Sequence, residues 1–208
     1  MARESSFKNM TLTLFVITFV SSAVLAGVYE LTKDAIDAVR IRKINQGIAE
    51  VLPPFNNNPS DTDNVHKEFV DGDTVYVYKA ITKERKDTVA AVQTFTNNGY
   101  GGKFVLLVGF LADGTINNIK VISHSETPGL GDKIDPAKHG FSLQFHGKNP
   151  ETYKLAVSKE DGDVDAITAS TISSKAFCDA VARAYAVYRE KVMKKGKWDG
   201  NTGATSQQ

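Results

Sequence analysis

The stretch Asp165-Ala166-Ile167-Thr168-Ala169-Ser170-Thr171-Ile172-Ser173-Ser174 crowds the hydroxyls of Thr168, Ser170, Thr171 and Ser173 into one spot. Directly after it, from Ala176, the apolar residues Phe177, Ala180, Val181, Ala184, Tyr185, Val187 and Tyr188 recur at helical spacing, which marks one face of an amphipathic helix. The hydroxyls therefore stand at a helix start. There, unpaired backbone N–H groups and the positive end of the helix dipole suit an anion such as a phosphate. The alternative is that these residues only cap the helix.

Two glycine-rich loops come earlier. Asn98-Gly99-Tyr100-Gly101-Gly102 reads either as a plain bend or as a binding loop. In His124-Ser125-Glu126-Thr127-Pro128-Gly129-Leu130-Gly131, Pro128-Gly129 sets a tight turn that presents backbone N–H groups beside a hydroxyl, a carboxylate and an imidazole. Other polar groups point to less. Ser170 or Ser173 with His124 and Asp165 lacks the Gly-x-Ser-x-Gly elbow of a hydrolase. His66, His139 and His146 have no metal-ligand spacing, so no metal is expected. Lys83-Glu84-Arg85-Lys86-Asp87 alternates in sign and reads as a solvated loop. The single cysteine, Cys178, excludes an intramolecular disulfide and reads as a packed, inert thiol.

The elements that position these groups are legible in outline. Met10 to Tyr29 carry no charged side chain, and about twenty helical residues cross a hydrocarbon core of about 30 Å. A retained anchor fits better than a cleaved signal peptide, whose apolar core is shorter. Ala35, Val39, Ile44, Ile48 and Val51 continue a helical rhythm that Pro53-Pro54 ends, and 56–64 is polar and turn-rich. Strands are expected from near Glu68, with Asp71-Gly72-Asp73 as a hairpin turn into Thr74 to Tyr78, then over Val89 to Phe95, Phe104 to Leu111 and Ile116 to Ser123. The run from Phe104 reads as a strand buried on both faces. Strands followed by a long C-terminal helix predict an α+β domain with an antiparallel or mixed sheet. With 208 residues and 41% hydrophobic content there is room for one such domain plus an anchor, and a net charge of +1 gives no electrostatic case for nucleic acid.

The 165–173 stretch resembles the flavinylation motif Asp-x-x-(Ser/Thr)-Gly-Ala-Thr-x-(Ser/Thr) of the covalent-FMN subunits of the Rnf and Na⁺-translocating NADH:quinone reductase complexes. Asp165, Thr168, Thr171 and Ser173 take the motif positions, while Ala169 replaces the Gly and Ser170 the Ala. Ala169 is harmless if its φ is negative and strained if the motif needs φ > 0. Gly99-Tyr100-Gly101-Gly102 and Glu126-Thr127-Pro128-Gly129-Leu130-Gly131 resemble two further motifs of the family, in the family's order and behind a membrane span.

The resemblance implies FMN joined to Thr171 by a phosphoester that a separate flavin transferase installs. Thr168, Ser170 and Ser173 would surround it, and Glu126, Thr127, Pro128, Gly129, Leu130 and Gly131, with Tyr100, would line the isoalloxazine side. His124 would be a hydrogen-bonded structural residue or a modulator of flavin protonation. The chain would carry electrons among the other subunits of an Rnf-type ferredoxin:NAD complex, its brevity favouring the Rnf G subunit over the quinone-reductase relative. A membrane-tethered ligand-binding or sensory domain is the reading outside the family. The expected organisation is a cytoplasmic tail (1–9), a transmembrane helix (10–29), a juxtamembrane helix and linker (30–66), an FMN-binding domain (67–194) and a flexible polar tail (195–208). The domain would lie on the extracytoplasmic side of the inner membrane, although basic residues counted alone favour the reverse orientation. Within the tail, Asp199-Gly200-Asn201-Thr202-Gly203-Ala204-Thr205 fits the motif core better than 165–171 does, which makes Thr205 a rival acceptor. Thr171 is preferred because a redox group needs a rigid support.

Overall fold

The computed structural model describes residues 7–84 and 87–194. Thr205 with the rest of 195–208, the residues before 7, and Arg85 and Lys86 of the charged cluster lie outside the described residues. The chain divides after Lys43.

Up to that point it is part of one long helix, α1 (Phe7–Val51). Leu14, Phe15, Phe19 and Leu25 are exposed on it, and it contains a segment long and apolar enough to cross a membrane. Its threonines suit that setting. The hydroxyls of Thr11, Thr13 and Thr18 donate to carbonyls four residues back at 2.9, 2.7 and 2.6 Å, so none needs water as a partner.

The compact unit begins at Ile44, earlier than the expected boundary at 67. The cause is packing: Ile48, Val51 and Leu52 are buried against Tyr78, Ala80, Val89, Ala91 and Leu107 of the sheet. Gly109 allows the contact, because a Cβ there would overlap the Val51 carbonyl oxygen. α1 ends at Val51, just ahead of Pro53-Pro54, which can neither donate to a helical carbonyl nor leave the preceding residue helical.

The sheet has strands β1 (Val65–Val70), β2 (Asp73–Ile81), β3 (Thr88–Gly99), β4 (Gly102–Phe110) and β5 (Ile116–Ser123). They pair in sequence order and antiparallel throughout. The first strand starts at Val65 instead of near Glu68, since Val65 pairs with Tyr78. Asp71 and Gly72, with φ of 49° and 84°, make the tight β1–β2 turn whose twist matches the strands.

α2 (Thr171–Tyr188) packs on the sheet face opposite the α1 segment, so β3 and β4 are covered on both sides, as the apolar run from Phe104 implied. Its apolar stripe from Phe177 to Tyr188 is buried. Phe177 meets Phe141 and Phe145 with ring centroids 5.2 Å apart in each case, a cluster whose truncation typically costs about 3–5 kcal/mol. Polar bonds fix where α2 lies along the sheet. Thr94 Oγ1 donates to the Ala180 carbonyl at 3.1 Å, Thr96 Oγ1 to Asp179 at 2.9 Å, and Arg183 to the Phe95 carbonyl at 2.6 Å.

The link from β5 to α2 is irregular, with 3-10 turns over Gly131–Ile134 and Gly140–Phe145.

Candidate functional site

α2 begins at Thr171, with Ser170 as the residue before it, and the Ser170 side chain makes no capping hydrogen bond. The Ser174 amide returns to the Ser170 carbonyl at 3.0 Å, which starts the helical ladder. The simple capping reading of the hydroxyls is therefore not realised at Ser170, and among the described residues no side chain caps the first amides of α2. Ahead of the helix Ala169 has φ of +63°. This is the left-handed region where an L-residue is strained and glycine is not, so the Ala that departs from the motif occupies the unfavourable conformation.

The Pro128-Gly129 turn forms as expected. Gly129 has φ of +76°, and the Leu130 and Asp132 amides both donate to the Thr127 carbonyl, at 3.1 and 3.3 Å. Tyr100-Gly101 forms the β3–β4 turn. These two loops and the start of α2 meet around Glu126, which is 5% exposed. Its Oε1 accepts from the Gly101 N–H at 3.2 Å and its Oε2 from the Ser173 hydroxyl at 2.7 Å. A Cβ on Gly131 would overlap Oε2, so any larger residue there would displace the carboxylate. The imidazole of His124 has a structural task, since Nδ1 accepts the Glu126 amide at 3.2 Å.

Around this meeting point is a cavity of about 480 Å³ lined by Tyr100, Glu126, Thr127, Leu130, Gly131, Ala169, Ser170, Thr171, Ile172 and Ser173. Its size is within the range of about 300–1,000 Å³ usual for small-molecule sites. Tyr100 is 71% exposed and forms its rim. Of the residues expected at the site, Thr168, Pro128 and Gly129 do not line the cavity: Thr168 is exposed in the turn that leads into α2, and Pro128 and Gly129 shape their own loop. Ala169 and Ile172 were not foreseen. Nothing in their side-chain chemistry could have signalled them, but their places beside Thr171 could.

Two supporting groups were also missed. Ser174, fully buried, accepts the Ile167 amide at 2.9 Å and donates to the Ser170 carbonyl at 3.0 Å. Asp132, beside the cavity loop, is ion-paired with Lys138 at 2.8 Å. The Lys138 hydrogen bond holds the Asp132 carboxyl below its usual pKa against the opposing effect of burial. Cys178 lies away from the cavity lining, buried in α2, where burial pushes the thiol up to about 12.

The arrangement can hold an anionic group at the α2 start and a flat ring between the two loops. Residues 99–186 match the FMN-binding domain family. The chain is 33% identical over 174 residues to the G subunit of the ion-translocating oxidoreductase complex of Haemophilus influenzae (strain PittEE), covering 80% of this chain and 83% of that protein. With the protein of the same name from Vibrio cholerae serotype O1 (strain M66-2) it shares 32% identity over 189 residues, covering 86% and 89%. A solved structure, that of the C subunit of Na(+)-translocating NADH-quinone reductase from Parabacteroides distasonis, aligns with a TM-score of 0.44 at 21% identity, over 66% of this chain and 76% of that one. On identity and coverage together, the chain belongs to the family of ion-translocating oxidoreductase complex G subunits.

Proposed function

We propose that the protein is an electron-carrying subunit of a membrane-bound ion-translocating oxidoreductase of the Rnf type, and that its carrier is FMN esterified through phosphate to the Thr171 hydroxyl. The observation that carries this reading is the meeting of Thr171 with both glycine loops around one cavity. The residues fit the group. Thr171 offers a hydroxyl at the cavity wall, the α2 amides and dipole offset phosphate charge, and Tyr100, Leu130 and Ile172 offer apolar surface for the ring. Ser170 and Ser173 flank the acceptor, and Thr127 and Gly131 line the same cavity. Thr168 reaches only the approach to the acceptor.

Bound FMN supplies one- and two-electron transfer. The protein attaches it, orients it and sets its electrostatic surroundings. Membrane localisation follows from the apolar segment of α1 and from the family. A flavin transferase would install the group, other subunits of the complex would exchange electrons with it, and the domain would face the extracytoplasmic side of the inner membrane.

The test is in-gel fluorescence of the denatured full chain, co-expressed with its flavin transferase, followed by peptide mass mapping. Wild type carries the FMN mass on the Thr171 peptide and Thr171→Ala loses it. Signal that survives Thr171→Ala and disappears in Thr205→Ala would move the acceptor to the tail. Unmodified wild type would leave a tethered binding domain.

A further inference from the structure

We infer that Glu126 is a positioning residue whose fixed negative charge at the cavity wall lowers the reduction potential of the flavin held there. The inference rests on the FMN reading above and adds to it a tuning residue.

Three facts carry it. Glu126 is 5% exposed and lines the cavity. Its two oxygens are each met by one neutral donor, the Gly101 amide and the Ser173 hydroxyl, and among the described residues it makes no ion pair. The neighbouring carboxylate, Asp132, is paired with Lys138, so its field is largely cancelled and that of Glu126 is not.

A purely structural brace would be met by a neutral side chain. Glutamine could accept from Gly101 through its oxygen and donate to the Ser173 oxygen through its nitrogen, joining the same segments without burying a charge. Burial of a carboxylate against neutral donors alone is unfavourable. The Gly131 backbone packs close beside the Glu126 carboxylate, which is 5% exposed. In so poorly screened a place a fixed negative charge opposes the arrival of electrons on a neighbouring ring. The partial positive charge of the α2 start is smaller than a full unit.

The test uses the full-length flavinylated protein in detergent, each variant first checked for FMN mass on the Thr171 peptide and then titrated for its midpoint potential. Glu126→Gln raises the potential by about 30 mV or more, a tenfold change in the ratio of reduced to oxidised flavin for a two-electron couple. Sulfite, an anion that adds to oxidised flavins, binds this variant at least tenfold more tightly than wild type. Ser173→Ala removes the donor on Oε2 while leaving the charge, and lowers the potential. A purely structural brace would leave Glu126→Gln, which keeps both hydrogen bonds, at the wild-type potential.

An unchanged potential in flavinylated Glu126→Gln overturns the inference. If that variant does not fold or is not loaded, Ser173→Ala decides: a potential at or above the wild-type value overturns it. Wild type without FMN on Thr171 is a different failure, that of the parent reading, and is seen before any titration begins.

Discussion

Ser174 Oγ accepts the Ile167 amide at 2.9 Å and donates to the Ser170 carbonyl at 3.0 Å, tying the segment before α2 to the first turn of the helix. Ala169 lies inside this tie with φ of +63°. The turn before α2 is thus held by a buried side chain on the helix and not by the residue that caps it in sequence.

Ala169→Gly should stabilise the protein. The left-handed conformation costs an L-residue about 1–2 kcal/mol, and the extra unfolded-state freedom of glycine takes back about 0.5–1 kcal/mol. The net gain is up to about 1.5 kcal/mol, read as a higher urea midpoint at unchanged m value. A lower midpoint would show that the exposed methyl makes contacts worth more than the strain.

Ser174→Ala should be the damaging hydroxyl deletion. It leaves the Ile167 amide without its partner in a buried place, at about 1–3 kcal/mol. Ser170→Ala removes no capping bond and should fall below the about 0.5–2 kcal/mol usual for loss of a cap. Equilibrium unfolding of the two variants side by side checks the order, and the reverse order would restore Ser170 as the cap.

The Asp132–Lys138 pair predicts a pH dependence. Asp132 has a folded-state pKa below that of an ordinary aspartate, chiefly through the Lys138 hydrogen bond. Its contribution is therefore fully present above the unfolded pKa and is lost as pH falls through the lower folded value. Asp132→Asn should be less stable than wild type at pH 7, with the gap closing in acid below about pH 4. Urea midpoints at both pH values measure it. A gap that stays constant would mean that the side chain stabilises the loop by shape alone.

Cys178 offers a direct probe of the core. Its thiol pKa is pushed up to about 12 by burial, and the thiolate is the reactive form. The native protein should stay unmodified by a maleimide at about pH 8, well below that value, and take one adduct in denaturant, because the chain has a single cysteine. Rapid labelling of the native state would show that α2 opens locally.

Much of this architecture is legible in the sequence because it rests on local periodicity and turn chemistry. Met10 to Tyr29 lack charge, Asp71-Gly72 makes a tight turn in any antiparallel pair, and the stripe from Phe177 to Tyr188 can face only one way once helical. The order of the glycine loops and the hydroxyl stretch belongs to the same level, and it suffices to point to the family.

Tertiary structure alone decided the rest. Glu126 and Ser173 are 47 residues apart and meet at 2.7 Å, a pairing that no spacing rule contains, because a side-chain hydrogen bond depends on where two elements pack. The extension of the compact unit back to Ile44 follows from packing too, with Ile48, Val51 and Leu52 buried against the sheet. Hydrophobic patterns set which faces are buried; the directional bonds between distant segments determined which polar atoms share one cavity.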